Sequence, residues 1–301
     1  MKICEVHEDL APKVHQFLCQ REEFGRFRQW DPLFHYPWKT AEFPYGYALI
    51  DGEQVHGFLG TIFARRTIKG KSVVCCNISS WVVDESYRAG LGRAGRGLGK
   101  RLAEPILTRK DVVVTALTPN VLSKKSCESM GFQRLDSEQV AIPVFPGFRG
   151  WPGLGSYREL AISFEPWEFS PRLAEKERKI CDDHRNLPCK HFLIESRESG
   201  EYCYGIATTS SIRRLATVDG NFLNLCYLSN TEFFVRHFRS FAGLLWKEGR
   251  IAAVRYDQRM IAQCVSKFTL RIAAPRLFHS ADVGSPQVDL LYSELVLFNV
   301  Y

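Results

Sequence analysis

Residues 79–102 read SSWVVDESYRAGLGRAGRGLGKRL, a strand-like run followed by a glycine- and arginine-rich loop and the start of a helix. The glycines of the loop are Gly90, Gly92, Gly95, Gly97 and Gly99. Glycine lets backbone N–H groups approach a phosphate closely, and the first turn of the next helix offers unpaired N–H groups at the positive end of its dipole. The unit is typical of a phosphate-binding site or of a basic surface loop.

Basic side chains are concentrated around this loop. Seven lysines and arginines lie between Arg88 and Lys110 against a single acid, Glu104, whereas the net charge of the 301-residue chain is only +7. A short basic segment suits a compact polyanion such as a nucleotide phosphate at least as well as a nucleic-acid backbone. Arg93 and Arg96 can supply charge-assisted contacts. Neither a Walker P-loop nor a complete dinucleotide fingerprint is present.

The flanking sequence alternates between strand and helix patterns. Before the loop, the patterns predict strands at residues 45–50, 55–68 and 73–83, separated by the turn signals Asp51-Gly52 and Lys69-Gly70. After it they predict a helix, a strand at 112–117, a helix beginning at Asn120 and a strand at 133–144. The order is that of a mixed α/β domain.

The second half repeats this order less clearly. A linker rich in glycine and proline begins at Phe145. Beyond it we predict helices at 171–185 and 231–247 and strands at 191–195, 202–208, 222–228, 251–256 and 290–298. The expected organisation is a first domain at residues 1–144, a linker at 145–170, and a second, smaller α/β domain at 171–301 that is a candidate degenerate repeat of the first.

The order of elements resembles the GNAT (acetyltransferase) superfamily, whose signature R/Q-x-x-G-x-G/A grips the pyrophosphate of acetyl-CoA. Residues 97–102 match the glycine half of that signature. The Arg/Gln position falls on Ala94, with Arg93 one residue earlier and Arg88 further back, so the loop is expanded. The resemblance implies that the strand backbone and the loop hold the CoA; the residues so implicated are Trp81, Val82, Val83, Arg88, Arg93, Gly95, Arg96, Gly97, Leu98 and Gly99.

A second GNAT pattern, N-x-x-A-x-x-x-Y-x-x-x-G-F, is partly matched downstream. Asn120, Ser123, Cys127, Gly131 and Phe132 stand at its spacings. The resemblance implies that Asn120 contacts the pantetheine arm and that Cys127 replaces a tyrosine which, in many members, protonates the departing thiolate. Shorter stretches at both ends of the chain are similar to a bacterial subgroup of GNAT-like proteins of about this length.

The candidates for catalysis are polar side chains in a strand that should be central. Strict alternation would place Asn77, Ser79 and Trp81 on one face, so Asn77 or Ser79 could hold a water or an acceptor. Each is equally well explained as a sheet residue with satisfied hydrogen bonds. Cys127 could be a nucleophile or an acid, but a small buried thiol without a nearby histidine is the simpler interpretation. His56, alone on its strand, favours a structural role.

The acceptor site is the least determined part of the sequence. Trp246, Tyr256, Tyr292 and Glu294 in the second half could line it. Aromatic residues at strand positions more often belong to the core, which is the alternative.

Composition excludes several classes of protein. The chain is 45% apolar and 13% aromatic, which is enough for packed cores, and it starts without the apolar segment of a signal peptide. No stretch approaches the ~20 apolar residues of a membrane span. The ten cysteines include no C-x-x-C pair, so neither a metal site nor a disulfide framework is expected. These features predict a cytoplasmic protein.

Together these observations favour an acyl-CoA-dependent acyltransferase that transfers an acetyl group from acetyl-CoA, or another acyl group, to a small-molecule amine or other acceptor by direct attack. No metal is required, and the compact basic segment argues against a nucleic-acid partner. Two alternatives stay open: a tandem-GNAT transferase that uses aminoacyl-tRNA, and a non-catalytic CoA-binding module. The sequence does not specify an oligomeric state.

Overall fold

The computed structural model describes residues 1–21, 29–89, 97–144, 160–215, 218–249, 251–261 and 269–300. The chain forms two compact units. The first comprises residues 1–135, 275–288 and 292–298, and the second comprises residues 136–274, 289–291 and 299–301. Each unit is a mixed α/β structure, which confirms the predicted fold class.

In the described residues, the first unit contains six neighbouring strands with helices packed on them. Its strands are β1 (Lys2–Val6), β2 (Gly46–Asp51), β3 (Gln54–Ile68), β4 (Lys71–Val83), β5 (Val112–Ala116) and the last part of β12 (Leu270–His279). Its helices are α1 (Ala11–Cys19), α2 (Asp31–Phe34), α3 (Glu85–Ala89), α4 (Leu98–Leu107), α5 (Val121–Ser129) and α9 (Glu294–Leu297). The spatial order of the strands is β1-β2-β3-β4-β5-β12, and only the β4–β5 pair is parallel.

The described residues of the second unit also include six strands. Its strands are β7 (Leu160–Ser163), β8 (Lys190–Ser196), β9 (Tyr202–Leu215), β10 (Val218–Leu228), β11 (Ile251–Asp257) and most of β6 (Gln133–Pro143). Its helices are α6 (Pro166–Phe169), α7 (Glu175–His184) and α8 (Thr231–Gly249), with a short 3-10 turn at Ser170–Arg172. The spatial order is β7-β8-β9-β10-β11-β6, and only the β10–β11 pair is parallel.

The two units therefore share one topology. In each, three antiparallel strands lead to a parallel pair bridged by a helix, α4 or α8, and an antiparallel strand follows the pair. The final strand is exchanged between the halves of the sequence: Gln139–Pro143 of β6 pair with β11, and Leu277–His279 of β12 pair with β5. The degenerate repeat expected from the sequence stays a prediction, which this shared strand order supports.

Because of this strand exchange, the boundary between the two units differs from the predicted domain boundary. We expected the first domain to be residues 1–144, but the first unit ends at Leu135 and takes in two C-terminal segments. Within the predicted linker, residues 160–163 form β7 and residues 166–169 form α6. Residues 145–159 lie outside the described part of the chain.

Two further predictions about the C-terminal region are wrong. Residues 290–298 do not form a strand, because Ser293 caps α9 by accepting a hydrogen bond from the Leu295 backbone N–H. Tyr292 has a positive φ of 49°, which also breaks an extended run. The strand β12 was missed because it contains Pro275, a residue that argues against a sheet interior.

The turns between the first strands form as their sequences predict. Lys69 and Gly70 both have positive φ, 49° and 77°, and so join β3 to β4 through the kind of tight turn that matches strand twist. Beneath this sheet the side chains of Phe43 and Phe63 stack with ring centroids 4.5 Å apart. Leu102 and Ile106 of α4, both fully buried, pack into the same core. The hydrophobic face of α4 therefore fixes this helix against β4 and β5.

In the second unit we expect Gly205→Ala to be strongly destabilising. A Cβ atom at Gly205 would lie 2.1 Å from the nearest ring carbon of Phe192, which is fully buried. Overpacking of this kind costs about 1–3 kcal/mol or more. Gly284→Ala is the matched control, because its Cβ would meet only ordinary contact, 3.7 Å from Pro286. Urea unfolding of both variants measures the difference, and equal stabilities would show that the Phe192–Gly205 packing is wrong.

Candidate functional site

The parallel strands β4 and β5 separate at one defined point. Their pairing runs from Val74–Val112 to Asn77–Thr115, after which β5 ends at Ala116 while β4 continues to Val83. The two strands form a fork, and a cavity of about 240 Å³ opens where they part. The edge of β4 that faces the fork beyond Asn77 has no strand partner among the described residues.

All the residues that line this cavity belong to the first unit. They come from β4, from the end of β5 and the start of α5, and from the C-terminal segment. The lining residues are Trp30, Ile78, Ser79, Ser80, Trp81, Ala116, Leu117, Thr118, Pro119, Asn120, Ser123, Cys127, Glu294 and Phe298. Five of the residues predicted from the sequence, Ser79, Trp81, Asn120, Cys127 and Glu294, are thus brought together.

A bulge in β4 changes the predicted facing of its side chains. Phe58 pairs with Val82 and Gly60 with Ser79, so β4 carries one extra residue between these pairs. Ser80 has a positive φ of 51° at this point. The extra residue reverses the alternation. Trp81 consequently packs against the core of the unit and does not share a face with Asn77, contrary to the prediction.

Trp81 links the fork to the glycine-rich loop. Its indole N–H donates a 3.0 Å hydrogen bond to the backbone carbonyl of Gly99, in the first turn of α4. A Cβ at Gly99 would lie 3.4 Å from the indole nitrogen, so the two groups are in close contact. Gly97, directly before α4, has a left-handed φ of 89° that favours glycine. The start of α4 is therefore fixed beside the end of β4.

The side chain of Asn77 stabilises the fork through hydrogen bonds. Its side-chain amide donates to the backbone carbonyl and the hydroxyl of Thr115, at 3.3 and 3.2 Å. Its carbonyl oxygen accepts a 2.8 Å hydrogen bond from the backbone N–H of Glu294. Asn77 is only 3% exposed. Of the two interpretations of Asn77, the geometry favours the satisfied structural residue over the acceptor-binding group.

A carboxylate lies at the base of the fork. Glu294 is 6% exposed, and its Oε1 accepts a 2.7 Å hydrogen bond from the Thr118 hydroxyl. The Ser79 side chain also hydrogen-bonds to this carboxylate. The sequence placed Glu294 in the second domain as a possible acceptor-site residue, whereas the structure places it in the first unit with Ser79. The available signal was an acid within an otherwise apolar run.

The surroundings of Glu294 make its carboxyl group more basic than usual. Burial raises its pKa above the ordinary value, since the charged form loses its hydration. Hydrogen bonds from Thr118 and Ser79 and the charge of Arg276 act in the opposite direction, because each stabilises the carboxylate. The net direction is upward.

Cys127 lines the cavity but has the properties of a core residue. It is fully buried, and burial raises the pKa of its thiol to about 12. A thiol with that pKa carries almost no thiolate near neutral pH, and the thiolate is the nucleophilic form.

Asn120 begins the helix that carries Cys127. Its side-chain oxygen accepts hydrogen bonds from the backbone N–H groups of Leu122 and Ser123, at 3.0 and 2.9 Å, and so caps α5. Asn120 also lines the cavity, which leaves the amide nitrogen as the group that could face a ligand.

Four further predicted CoA-binding residues belong to the described structure. Val82 and Val83 are buried at the end of β4, Leu98 is buried in the first turn of α4, and Arg88 is exposed in the last turn of α3. Arg93, Gly95 and Arg96 lie outside the described residues.

His56 forms a separate cluster and does not line the cavity. Its Nδ1 lies 2.9 Å from Asp84 Oδ2, and its ring stacks on Tyr87 with centroids 4.1 Å apart. Arg21 pairs with the same aspartate. This arrangement connects β3 to the end of β4 and fits the structural interpretation of His56.

The aromatic acceptor-site candidates do not come together with Glu294. Tyr256 is 2% exposed and belongs to the core of the second unit. Tyr292 is buried in the first unit, where it packs edge-on against Trp38 and under the guanidinium of Arg66. The side chain of Trp246 lies outside the described part of the structure.

Comparison with solved structures identifies the fold. The chain is similar to the GCN5-related N-acetyltransferases from Anabaena variabilis (TM-score 0.59, 12% identity, 92% of this chain and 72% of that one) and Kribbella flavida (TM-score 0.53, 14% identity, 92% and 70%). It is also similar to a fungal multi-domain GH3 β-N-acetylglucosaminidase that contains a GCN5-related glucosamine N-acetyltransferase region (TM-score 0.54, 11% identity, 92% and 38%). The protein therefore has the GNAT fold, as the sequence resemblance implied.

No protein-family model and no curated protein matches the sequence. Across the described ranges, no helix is both long and apolar enough to cross a bilayer. The same residues contain no cluster of three or more histidine, cysteine, aspartate or glutamate side chains that could hold a metal ion.

We expect Cys127 to be dispensable and unreactive. Because its thiol is buried and has a pKa of about 12, iodoacetamide near neutral pH should modify the exposed Cys19 and leave Cys127 unmodified in the folded protein. Mass spectrometry of tryptic peptides reads both sites in one sample. In a turnover assay, Cys127→Ala should lower the rate by less than about tenfold. A trapped acyl group on Cys127 would contradict this and indicate a ping-pong reaction.

Proposed function

We propose that the first unit is an acyl-CoA-dependent N-acyltransferase that transfers an acetyl group from acetyl-CoA to a small-molecule amine by direct attack on the thioester. The observation that carries this proposal is the fork between β4 and β5. The β4 edge beyond Asn77 presents backbone N–H and C=O groups without a strand partner in the described structure. A pantetheine arm contains two amides in an extended chain, so it can pair with such an edge as an added strand does.

The size of the cavity agrees with this assignment. At about 240 Å³ it is smaller than the pockets of about 300–1,000 Å³ that enclose a whole drug-sized ligand. It suits the thioester and the adjoining part of the pantetheine, while the nucleotide end of CoA would lie outside it. Asn120 lines the cavity and uses its side-chain oxygen for capping, so its amide nitrogen would donate to the pantetheine.

The pyrophosphate would bind at the start of α4. Gly97 and Gly99 keep the backbone there accessible, and the Trp81–Gly99 hydrogen bond holds this turn next to the end of β4. Unpaired N–H groups and the helix dipole favour an anion at such a position. The nearby Arg88 and the arginines of the loop, Arg93 and Arg96, would supply positive charge.

Fold similarity to N-acetyltransferases supports the reaction class but does not select the acceptor. An aminoacyl-tRNA-dependent transferase would need an extended basic surface, whereas the marked excess of basic over acidic residues here lies in one short segment, residues 88–110. A non-catalytic CoA-binding module would need only the fork and the loop. The cavity contains a buried carboxylate beside the fork, which a pure binding module does not require.

We expect Gly97→Asp to lower the affinity for CoA by more than about tenfold. Gly97 has a φ of 89°, which an aspartate adopts only with strain, and a carboxylate there would repel the pyrophosphate. Calorimetric titration with CoA measures the affinity, and circular dichroism verifies folding.

Gly200→Asp is the matched control for this substitution. Gly200 also has a left-handed φ, of 69°, and nothing lies within 4 Å of the position that a Cβ atom would occupy there. Gly200 belongs to the second unit. Gly200→Asp therefore introduces the same kind of backbone strain and the same negative charge as Gly97→Asp, but outside the glycine-rich loop. The affinity of the Gly200→Asp variant for CoA should equal that of the wild type. Unchanged affinity in Gly97→Asp would remove the loop from the proposed site.

We also expect CoA or acetyl-CoA to raise the melting temperature of the purified protein. A ligand that binds only the folded state stabilises it by about 2.7 kcal/mol at a hundredfold excess over Kd. Transfer RNA at physiological salt should give no comparable rise, since the compact basic segment offers few contacts to a long phosphate backbone. Differential scanning fluorimetry with each ligand makes the comparison.

The two results separate the alternatives. No shift with millimolar CoA together with tight tRNA binding would replace the proposal by the tRNA-dependent enzyme. A shift with CoA but no release of free thiol in the presence of amines would favour the binding module.

A further inference from the structure

We infer that Glu294, which the C-terminal segment carries into the fork of the first unit, is the proton acceptor for the attacking amine. This inference rests on the proposed acyltransferase function and assigns its general base. In this role Glu294, from the C-terminal segment, would be catalytic in a site whose other residues come mainly from the first half of the sequence.

The position of Glu294 supports this role. Its carboxylate is bonded to Thr118, directly after β5, and to Ser79, next to the bulge of β4, so it lies between the two arms of the fork. Its backbone N–H is held by Asn77 at 2.8 Å. A general base must lie within hydrogen-bond reach of the proton that it removes. An amine that attacks a thioester held between β4 and β5 would enter this same cavity.

The carboxylate keeps room for a further proton donor. A carboxylate offers about four lone-pair sites, and the hydrogen bonds from the Thr118 hydroxyl, the Thr118 backbone and Ser79 leave about one of them for an ammonium group. The charged or titratable groups near Glu294 are Arg276, whose positive charge acts on the carboxylate, and Cys127, whose neutral thiol lines the same cavity. Arg276 keeps the ionised form accessible, while burial makes it a stronger base than an exposed glutamate.

The other cavity residues do not compete for the role. Glu294 is the only carboxylate among the described residues that line the cavity. The hydrogen-bonding groups of Asn77 are already paired, and the thiol of Cys127 has a pKa of about 12. The serine and threonine hydroxyls that remain are far too weak as bases near neutral pH.

The reaction then balances as follows. The ionised carboxylate of Glu294 takes one proton from the ammonium form of the acceptor. The nitrogen lone pair attacks the carbonyl carbon, the N–C bond forms, and the C–S bond breaks as the tetrahedral intermediate collapses. A second proton leaves the nitrogen and neutralises the departing CoA thiolate, and the proton on Glu294 passes to solvent. The products are the N-acyl amine, free CoA and one released proton.

The test uses the full-length chain and a fixed panel of primary amines: an amino sugar, a polyamine and a lysine-containing peptide. Glu294→Gln should lower kcat with acetyl-CoA by about a hundredfold near neutral pH while the affinity for CoA stays unchanged. The loss should shrink at pH values above the pKa of the amine, because solvent then delivers the neutral amine. A purely structural role would lower the rate equally at every pH.

Glu128→Gln is the matched control. Glu128 lies on α5 of the same unit, is exposed, and pairs with Lys124 at 3.9 Å. Removing its charge should leave kcat and the affinity for CoA at the wild-type values. A rate loss equal to that of Glu294→Gln would show that the effect comes from the charge of the protein in general, and it would overturn the inference.

Stability provides a second measurement that does not depend on activity. Because burial raises the pKa of Glu294, its contribution to stability is full below the ordinary pKa of a glutamate and is lost as the pH rises through the raised value. Glutamine does not ionise, so the Glu294→Gln variant does not lose stability in this way as the pH rises. The melting temperature of Glu294→Gln should therefore rise relative to the wild type as the pH increases. A variant that becomes less stable at alkaline pH would show that the carboxylate serves to hold the fold.

The outcomes distinguish the inference from the function on which it rests. Wild-type protein that fails to bind CoA contradicts the proposed function. Wild-type protein that binds CoA and acetylates an amine, with Glu294→Gln within about threefold of its rate, overturns only the proton-acceptor role. Wild-type protein that binds CoA but acetylates none of the amines counts against both.

Discussion

The side-chain amide of Asn77 is the interaction on which the site depends. It joins β4 to β5 through Thr115 at the last paired position and holds the backbone of Glu294 through its carbonyl oxygen. Three separate segments of the chain thus meet at one buried residue. Removing an amide with satisfied bonds leaves buried partners unpaired, at about 1–3 kcal/mol each. The hydrogen bonds of Asn77 join β4 to β5 at their last paired position, and beyond that position the two strands separate.

The fork determines what each neighbouring element contributes. The bulge at Ser80 turns Trp81 toward the core, where its indole hydrogen-bonds to the first turn of α4. The end of β5 supplies Thr118 and the cap of α5, so the same few residues shape the cavity and start the helix behind it. A backbone edge, a helix start and a buried carboxylate are thereby placed around a single small cavity.

The sequence predicted the fold better than the site. Local patterns were sufficient for β4 and α4, since the strand-like run and the helical spacing of apolar residues are each read within one short stretch. They could not reveal the bulge, because one extra residue leaves the composition of a strand unchanged. Glu294 lies 217 positions from Asn77, and only the exchanged strands bring them together. Pairing over that distance has no local signal, so the acid was assigned to the wrong half.

The second unit keeps the framework of the fork with different chemistry. Asn224 stands at the last pair of β10 and β11, where Asn77 stands in the first unit, but its oxygen accepts a 2.7 Å hydrogen bond from the guanidinium of Arg255. Each half of the chain completes the other's sheet, so deleting either one would leave an open edge.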